Sequence, residues 1–445
     1  MQQKVKMPTT SDLMSMWQAS GLKEKIIFTF IMIAAFRLGV QLPIFGINGE
    51  SFRQLASQGN LLGFLDLFSG GALGNVSIFA LGIGPYITAS IIIQLVSVVI
   101  PSLEKLQKEE GEAGRRKLAQ YTRVFTVALA IFQGLIFMIF MSKLPNAIMP
   151  GLNPLMFFVS SITVLTAGAM LVMWISELIT EKGIGNGGSL IIFVGIISRL
   201  PMYAKSTAKI TMNDPGLQFG LIILLAIFFA SMVLIVIMQE ATRKVVIVNP
   251  KRQVGNKVYG GVNTHIPFKL NPGGVMPIIF AIAILLFPTT ILSVVGQSNI
   301  HNHVVKSVVL HLTQLLSPTG WFYYLLYFVL IVTLTFFYAS IMPNMQPKEI
   351  ATNLKKYGSS IPGIKPGKAT AEALDKILSK TTFIGALALG IIALVPSFAS
   401  HLTGITTLQG IGATSLIIMV GVALDLITQV RTHLLARNYE SFLKE

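Results

Sequence analysis

The sequence predicts an all-α polytopic membrane protein of about ten transmembrane helices, arranged as two inverted-topology halves of five around a central pore. Three observations carry that prediction: an apolar composition poor in charge, a one-sided distribution of Lys and Arg, and an internal repeat.

Composition comes first. Of 445 residues, 53% are hydrophobic and only 12% charged, and the mean hydropathy is +0.71. Soluble domains carry about 25% charged residues, so most of this chain has lipid as its solvent. A helix crosses the hydrocarbon core in roughly 20 mostly apolar residues. Spans are expected to begin at Ile26, Ser77, Leu118, Leu155, Ser189, Leu217, Val275, Trp321, Thr381 and Ile411. Cysteine is absent, which excludes disulfide scaffolds, thiolate metal sites and Cys nucleophiles. Lys4 and Lys6 lead into a mixed polar stretch, not into an apolar core with a cleavage site, so no cleavable signal is expected. Within a cytoplasmic N-terminal segment, 1–25, the stretch from Ser11 reads as an interfacial amphipathic helix reaching Ile26.

The formal charge of +16 is distributed unevenly. With the N-terminus inside, the outer links hold only Arg53, Lys143, Arg199, Lys205, Lys209 and Lys306, and Arg37 lies within the first span. All other Lys and Arg fall inside, as the positive-inside rule requires for an even number of spans with both termini cytoplasmic. The first five spans then form a half over 26–201, the second five a half over 202–432, and 433–445 a cytoplasmic tail.

Two inner links, 240–272 and 342–380, are the longest and the most basic. The first has a β-branched run, Val245 to Val248, before Asn249-Pro250, and is expected to project as a hairpin. The second reads as two short helices around Pro362-Gly363 and Pro366-Gly367. Their charges serve topology on one reading. Links of this length, one of them projecting, also suit a docking surface for a large acidic or RNA-containing partner.

The repeat is visible as GIGNGGSLIIFVGI after Lys182 against GIGATSLIIMVGV after Gln409, the fifth and tenth spans. GIGPYITASIII around Pro85 likewise matches GGVMPIIFAIAIL around Pro277, the second and seventh. An odd number of spans per half turns one half upside down, an inverted-topology repeat. Gly and Pro within spans mark broken helix, which is tolerated only where it is buried in protein or lines a wet cavity. The alignment pairs Ile87 with Ile279 and Ile192 with Ile418, and Ile83 and Ile196 stand a turn away on the same faces. This centre holds almost no ionisable residue. Arg37, Glu177 and Asp425 are the main charges near spans. An apolar constriction gates by dewetting and does not select a solute by chemistry, so a gated, unselective pathway is favoured over an inverted-repeat secondary transporter of a small solute.

Other signals are set aside. GIGNGG at Gly183 satisfies G-x-G-x-x-G but lies between two spans, not in a βαβ unit. No Walker A pattern is present. His301, His303 and His311 on an outer link read as solvated histidines, and Glu177 with Glu181 as a solvated helix face.

At this point the chain resembles the SecY family, bacterial members of the protein-translocating channel. The resemblance rests on FSGGALGNVSIFALGIGPYITASIIIQL, EGEAGRRKLAQYTR, ITEKGIGNGGSLIIF, PKRQVGNKVYGG, GGVMPIIFA with LLFP, NLKKYGSSIPGIKPGKAT and GATSLII, in that order along essentially the whole chain. It implies that Ile83, Ile87, Ile192, Ile196, Ile279 and Ile418 form a pore ring that closes around a threading polypeptide. It implies a plug over 61–75, with Leu62, Leu65, Phe68 and a hinge at Gly70-Gly71. A lateral gate is implied between the second and third spans and the seventh and eighth, opening toward the lipid bilayer. The ribosome and the SecA motor ATPase are expected to dock through Arg243, Lys244, Lys251, Arg252 and Lys257 of the first basic link and Lys355, Lys356 and Lys365 of the second. Many relatives carry Arg where Lys365 stands, so its charge is kept but planar bidentate pairing is lost. Small SecE-like and SecG-like subunits are implied as companions, signal-sequence-bearing polypeptides as substrates, and the plasma membrane or a thylakoid as the location. The resemblance implies neither a cofactor nor catalysis by the channel itself.

Overall fold

The computed structural model describes residues 21–47, 49, 66, 69–108, 111–143, 148–149, 153–254, 257–260, 264–296, 303–317, 320–341, 346–405 and 413–442. The expected amphipathic stretch before residue 21 and the expected plug residues Leu62, Leu65 and Phe68 lie outside them, as does His301. In chain order the helices are α1 (Leu22–Val40), α2 (Gly84–Val99), α3 (Pro101–Lys108), α4 (Gly111–Ser142), α5 (Pro154–Lys182), α6 (Gly187–Asn213) and α7 (Leu217–Glu240). Four strands follow: β1 (Thr242–Ile247), β2 (Lys251–Val254), β3 (Lys257–Gly260) and β4 (Thr264–Lys269). The rest is α8 (Met276–Gly296), α9 (His303–Leu315), α10 (Trp321–Ile341), α11 (Pro347–Lys356), α12 (Lys368–Thr403) and α13 (Ala413–Phe442).

Each of the ten expected spans corresponds to one helix. Seven of them, α4 to α7, α10, α12 and α13, are long and apolar enough to cross a membrane by length and composition alone. The other three depart for local reasons. Helix α1 carries Lys23, Glu24, Lys25 and Arg37. Helices α2 and α8 follow irregular backbone, and α2 is only 16 residues long. The second span therefore departs from expectation: Ser77 to Ile83 forms turns, and helix starts at Gly84. The ninth departs in the other direction, because helix α12 starts at Lys368, well before Thr381.

By its internal contacts the chain divides into two compact units, one of Met1–Ala89, Arg123–Lys205 and Ile418–Glu445, the other of Ser90–Thr122 and Ser206–Ile417. In the first unit α1 packs on α5, and the irregular run before α2 is wedged among them. Phe79 stacks on Phe36 of α1 at 6.0 Å between ring centroids. The Ile78 carbonyl occupies the space a Cβ on Gly168 of α5 would need, so only glycine admits that backbone. Backbone groups of the run and its approach find partners: Ile78 N–H donates to the Leu42 carbonyl and Ile44 N–H to the Val76 carbonyl, both at 3.0 Å. Non-helical backbone at membrane depth requires this satisfaction.

In the second unit α12 packs against both α7 and α10, and α10 against α8. Tyr324 of α10 meets Phe398 of α12 at 5.8 Å between ring centroids. The two basic links also lie in this unit and are joined. Strands β1 and β4 pair antiparallel with Arg243 opposite Phe268, and β2 pairs β3 with Arg252 opposite Tyr259. The first link is thus a hairpin, but Asn249-Pro250 is not its turn. These residues form the joint between the two ladders and fasten the first link to the second. Val248 bridges Ser360, and the Ser359 hydroxyl donates to Asn249 Oδ1 at 2.8 Å. Beneath them Val245, Phe268, Ile361, Leu374 and Leu378 form a buried apolar cluster, with Ile266, Ile350, Leu354, Ile364 and Ile377 packed around it. In the second link, α11 is the only separate helix among the described residues; the other expected short helix is the first part of α12. The connection turns at Gly358, Gly363 and Gly367, with φ of 71°, 77° and 107°, where a Cβ would be strained.

Candidate functional site

The repeat expected from sequence is reproduced in local backbone. Gly82 has φ 55° and Gly274 has φ 58°; each stands two residues before a helix start and three before the proline of that helix's first turn. Ile87 N–H donates to the Ile83 carbonyl at 3.1 Å, and Ile279 N–H to the Val275 carbonyl at 3.2 Å. A left-handed glycine ends the preceding turn, and proline is tolerated in the first helical turn because no i−4 acceptor is needed there. Helices α6 and α13 likewise begin at equivalent repeat positions, Gly187 and Ala413. Leu190, Ile191 and Ile192 of one, and Leu416, Ile417 and Ile418 of the other, are buried.

Of the six expected ring residues, Ile83, Ile192, Ile196, Ile279 and Ile418 are buried and Ile87 is half-buried. Ile83 and the first turn of α6 meet directly: its Cδ1 lies 3.5 Å from where a Cβ on Gly188 would stand. Ile192 and Ile196 follow on α6. Ile279 stands at the position equivalent to Ile87 in the second unit.

Sequence reasoning missed a polar contact set of the first unit. Asp66, in the link between the first two spans, has a side chain 8% exposed and forms an ion pair with Arg199 of α6. Its carboxylate also accepts the Gly74 N–H, and its backbone carbonyl accepts the Gly71 N–H at 2.9 Å and the Ser69 hydroxyl at 3.0 Å. Arg37 of α1 donates to the Gly70 carbonyl at 2.8 Å and to Ser198 Oγ at 3.0 Å. Gly70 and Gly71, both left-handed with φ of 66° and 93°, allow close approach to α6. A Cβ on Gly70 would lie 2.9 Å from the Gly195 Cα, and one on Gly71 2.6 Å from the Arg199 guanidinium. Burial pushes the Asp66 carboxyl up; Arg199, the Gly74 N–H and Ser69 pull it down, and burial prevails. Arg199 was expected in an outer link. It lies inside α6, because helix continues through Pro201 to Asn213.

A SecY family profile matches residues 77–427. The chain is 45% identical over 440 residues to the protein translocase subunit SecY of Synechococcus elongatus, covering 97% of each chain. It is 39% identical to that of Thermotoga maritima, covering 97% of this chain and 98% of the relative. The chain belongs to the SecY family. Its fold is that of solved SecY and Sec61 channels. A protein-conducting channel matches with a TM-score of 0.66 at 16% identity, covering 93% of this chain and 92% of that one. The Sec61 channel of a canine ribosome–channel complex matches with a TM-score of 0.61 at 15% identity, again covering 93% and 92%. The SecY-family chain is therefore a multi-pass membrane protein.

The remaining expected residues take these places. Arg243 and Lys244 are exposed on β1; Lys251, Arg252 and Lys257 lie on the β2–β3 ladder, with Val254 opposite Lys257. Lys355 and Lys356 are exposed in the last turn of α11, where cations complement the helix dipole. Lys365 is exposed between Gly363 and Gly367, and its carbonyl accepts the Thr370 hydroxyl at 2.9 Å. N–H groups of the GIGNGG run and of Ser189 after it are engaged within the chain. Ile184 N–H donates to Thr29 Oγ1 (3.1 Å), Gly185 N–H to Gln429 Oε1 (2.8 Å), Gly187 N–H to Thr180 Oγ1 (2.8 Å) and Ser189 N–H to Asn186 Oδ1 (3.2 Å). These donors bind protein groups, so the run is a helix junction and not a phosphate cradle. Glu177 departs from the solvated-face reading: it accepts from Arg123 through both oxygens, each at 3.0 Å.

Proposed function

We propose that this chain, a translocation-channel subunit by family, passes unfolded polypeptides across the membrane and releases membrane segments sideways into lipid through a gate between the second and third spans and the seventh and eighth. The paired helix breaks at Gly82 and Gly274 carry the reading, because broken backbone at equivalent positions of an inverted repeat belongs to a central pathway. The six isoleucines serve as its constriction, sealing by apolar contact that accepts any side chain while excluding ions. Segment 61–75 acts as the plug. The channel does no covalent chemistry; a SecA motor or a ribosome drives transport from the basic platform, with SecE-like and SecG-like subunits as companions. The plasma membrane, or a thylakoid, is its location, with both termini cytoplasmic.

A photo-crosslinker at Ile87, with an export substrate arrested midway in membrane vesicles, tests this reading. A crosslink that needs both the arrest and a working signal sequence is expected. Its absence while other export components work returns the isoleucines to packing and the small-solute transporter to first place.

A further inference from the structure

We propose that α9 is a membrane-surface anchor, which lays Val308, Leu312 and Leu315 into the lipid boundary on the face away from the basic platform and holds the end of α8 there. The inference needs only that the chain is a multi-pass membrane protein, so it stands apart from the channel reading. Helix α10 has 21 residues, about 31 Å at the helical rise, and crosses a hydrocarbon core of about 30 Å. The second basic link follows its Ile341 end, so α9, which precedes its Trp321 end, lies at the opposite face. Links 297–302 and 316–320 join α9 to α8 and α10. Links this short span about 20 Å at most, which keeps α9 near the membrane.

The faces of α9 sort by burial. The helix packs on α8, and its covered face holds buried Val309 and half-buried Thr313. The Thr313 hydroxyl donates to the Val309 carbonyl at 2.7 Å, so this face needs no water. Val308, Leu312 and Leu315, spaced i, i+4 and i+7, form a second face beside it, and all three are exposed. Ser307, His311 and Gln314 repeat that spacing on a third, exposed face. A helix lying in the interface requires this division, with its apolar face about 5–10 Å into the headgroup–acyl boundary and its polar face in water. Lipid covers the second face because the chain re-enters lipid directly afterwards. Trp321, 76% exposed at the start of α10, stands where interfacial aromatics gather, and Leu325 and Val329 continue an exposed stripe along that span. No Asp or Glu occurs from Gly296 to Ile341, so no carboxylate of this stretch repels lipid phosphates. Leu310 is exposed too, but it lies about 200° around the helix from Leu312 and faces water.

The chain has no cysteine, so single Cys substitutions place a fluorophore at chosen positions of the full chain in phosphatidylethanolamine–phosphatidylglycerol vesicles. Labels at Val308, Leu312 and Leu315 are expected to be quenched by spin-labelled lipid and spared by aqueous iodide. Labels at Ser307, Leu310 and Gln314 should show the reverse, and Leu310 separates lipid contact from apolarity alone. Iodide quenching at all six positions overturns the anchor. So does protection from both quenchers at the first three, which would put a protein partner on that face. The double variant Leu312→Asn, Leu315→Asn tests the hold on α8. It should raise amide exchange in the last turn of α8 about tenfold while exchange in α10 stays at the parent level. Parent-like exchange at the end of α8 would overturn the hold.

Discussion

The segment around Asp66 and the platform built from the two basic links are both non-spanning parts of a membrane protein, yet they are held by opposite physics. The platform has its own apolar cluster around Phe268 and Leu374, two antiparallel ladders and the Asn249–Ser359 fastening. The described part of the segment is held by an ion pair, arginine-to-carbonyl hydrogen bonds and glycine contacts. Apolar burial is non-directional and hard to undo in pieces. A buried ion pair breaks as a unit and its groups are welcome in water. The first kind of support suits a surface that must stay in place while a large partner pushes on it. The second suits a part that must leave and return.

The largest effect tests the platform. Phe268→Ala removes a fully buried ring and should cost about 3–5 kcal/mol locally. Hydrogen exchange should then show the β1–β4 ladder and the Ser359–Ile361 connection losing protection together, because one cluster supports them. Protection lost only near residue 268 would mean that the links are independent. A smaller effect tests the segment. Gly71→Ala places a Cβ where Arg199 stands and forces a left-handed alanine, roughly 1–2 kcal/mol from the backbone alone. It should raise ion leak while leaving thermal unfolding nearly unchanged, and a parent-like leak would show that the close approach is not what holds the segment. The smallest is electrostatic. Reversing Lys251 and Arg252 to Glu should weaken ribosome or SecA docking about tenfold at moderate salt without loss of insertion. Unchanged docking would assign those charges to topology.

What the sequence made legible follows from the range of the interactions involved. Helix number, the hairpin character of the first link and the repeat register depend on local residue patterns. Gly-x-x-Pro before Ile87 and before Ile279 specifies the same turn in both halves wherever it occurs. The starts of α2 and α12 were misjudged because hydropathy reports burial in lipid, not hydrogen bonding. Ser77 to Ile83 is apolar yet bonded to residue 42, and Lys368 to Lys380 is polar yet helical. Asn249-Pro250 carries a turn signal, and only the distant Ser359 shows its use as a fastening. The contacts among Asp66, Arg199 and Arg37 were invisible for the same reason. Arg37 stood out as a charge within a span, but its neighbours at Gly70 and Ser198 are 33 and 161 residues away along the chain. Arg199 resembled one more outer-link cation until helix α6 carried it beside Asp66.

The measurement that addresses the contrast most directly is ion leak compared with partner docking, taken side by side for Asp66→Asn and Phe268→Ala in the intact membrane complex. The account predicts that Asp66→Asn leaks and docks normally, whereas Phe268→Ala stays sealed and docks poorly. Leak from Phe268→Ala with a sealed Asp66→Asn would contradict it.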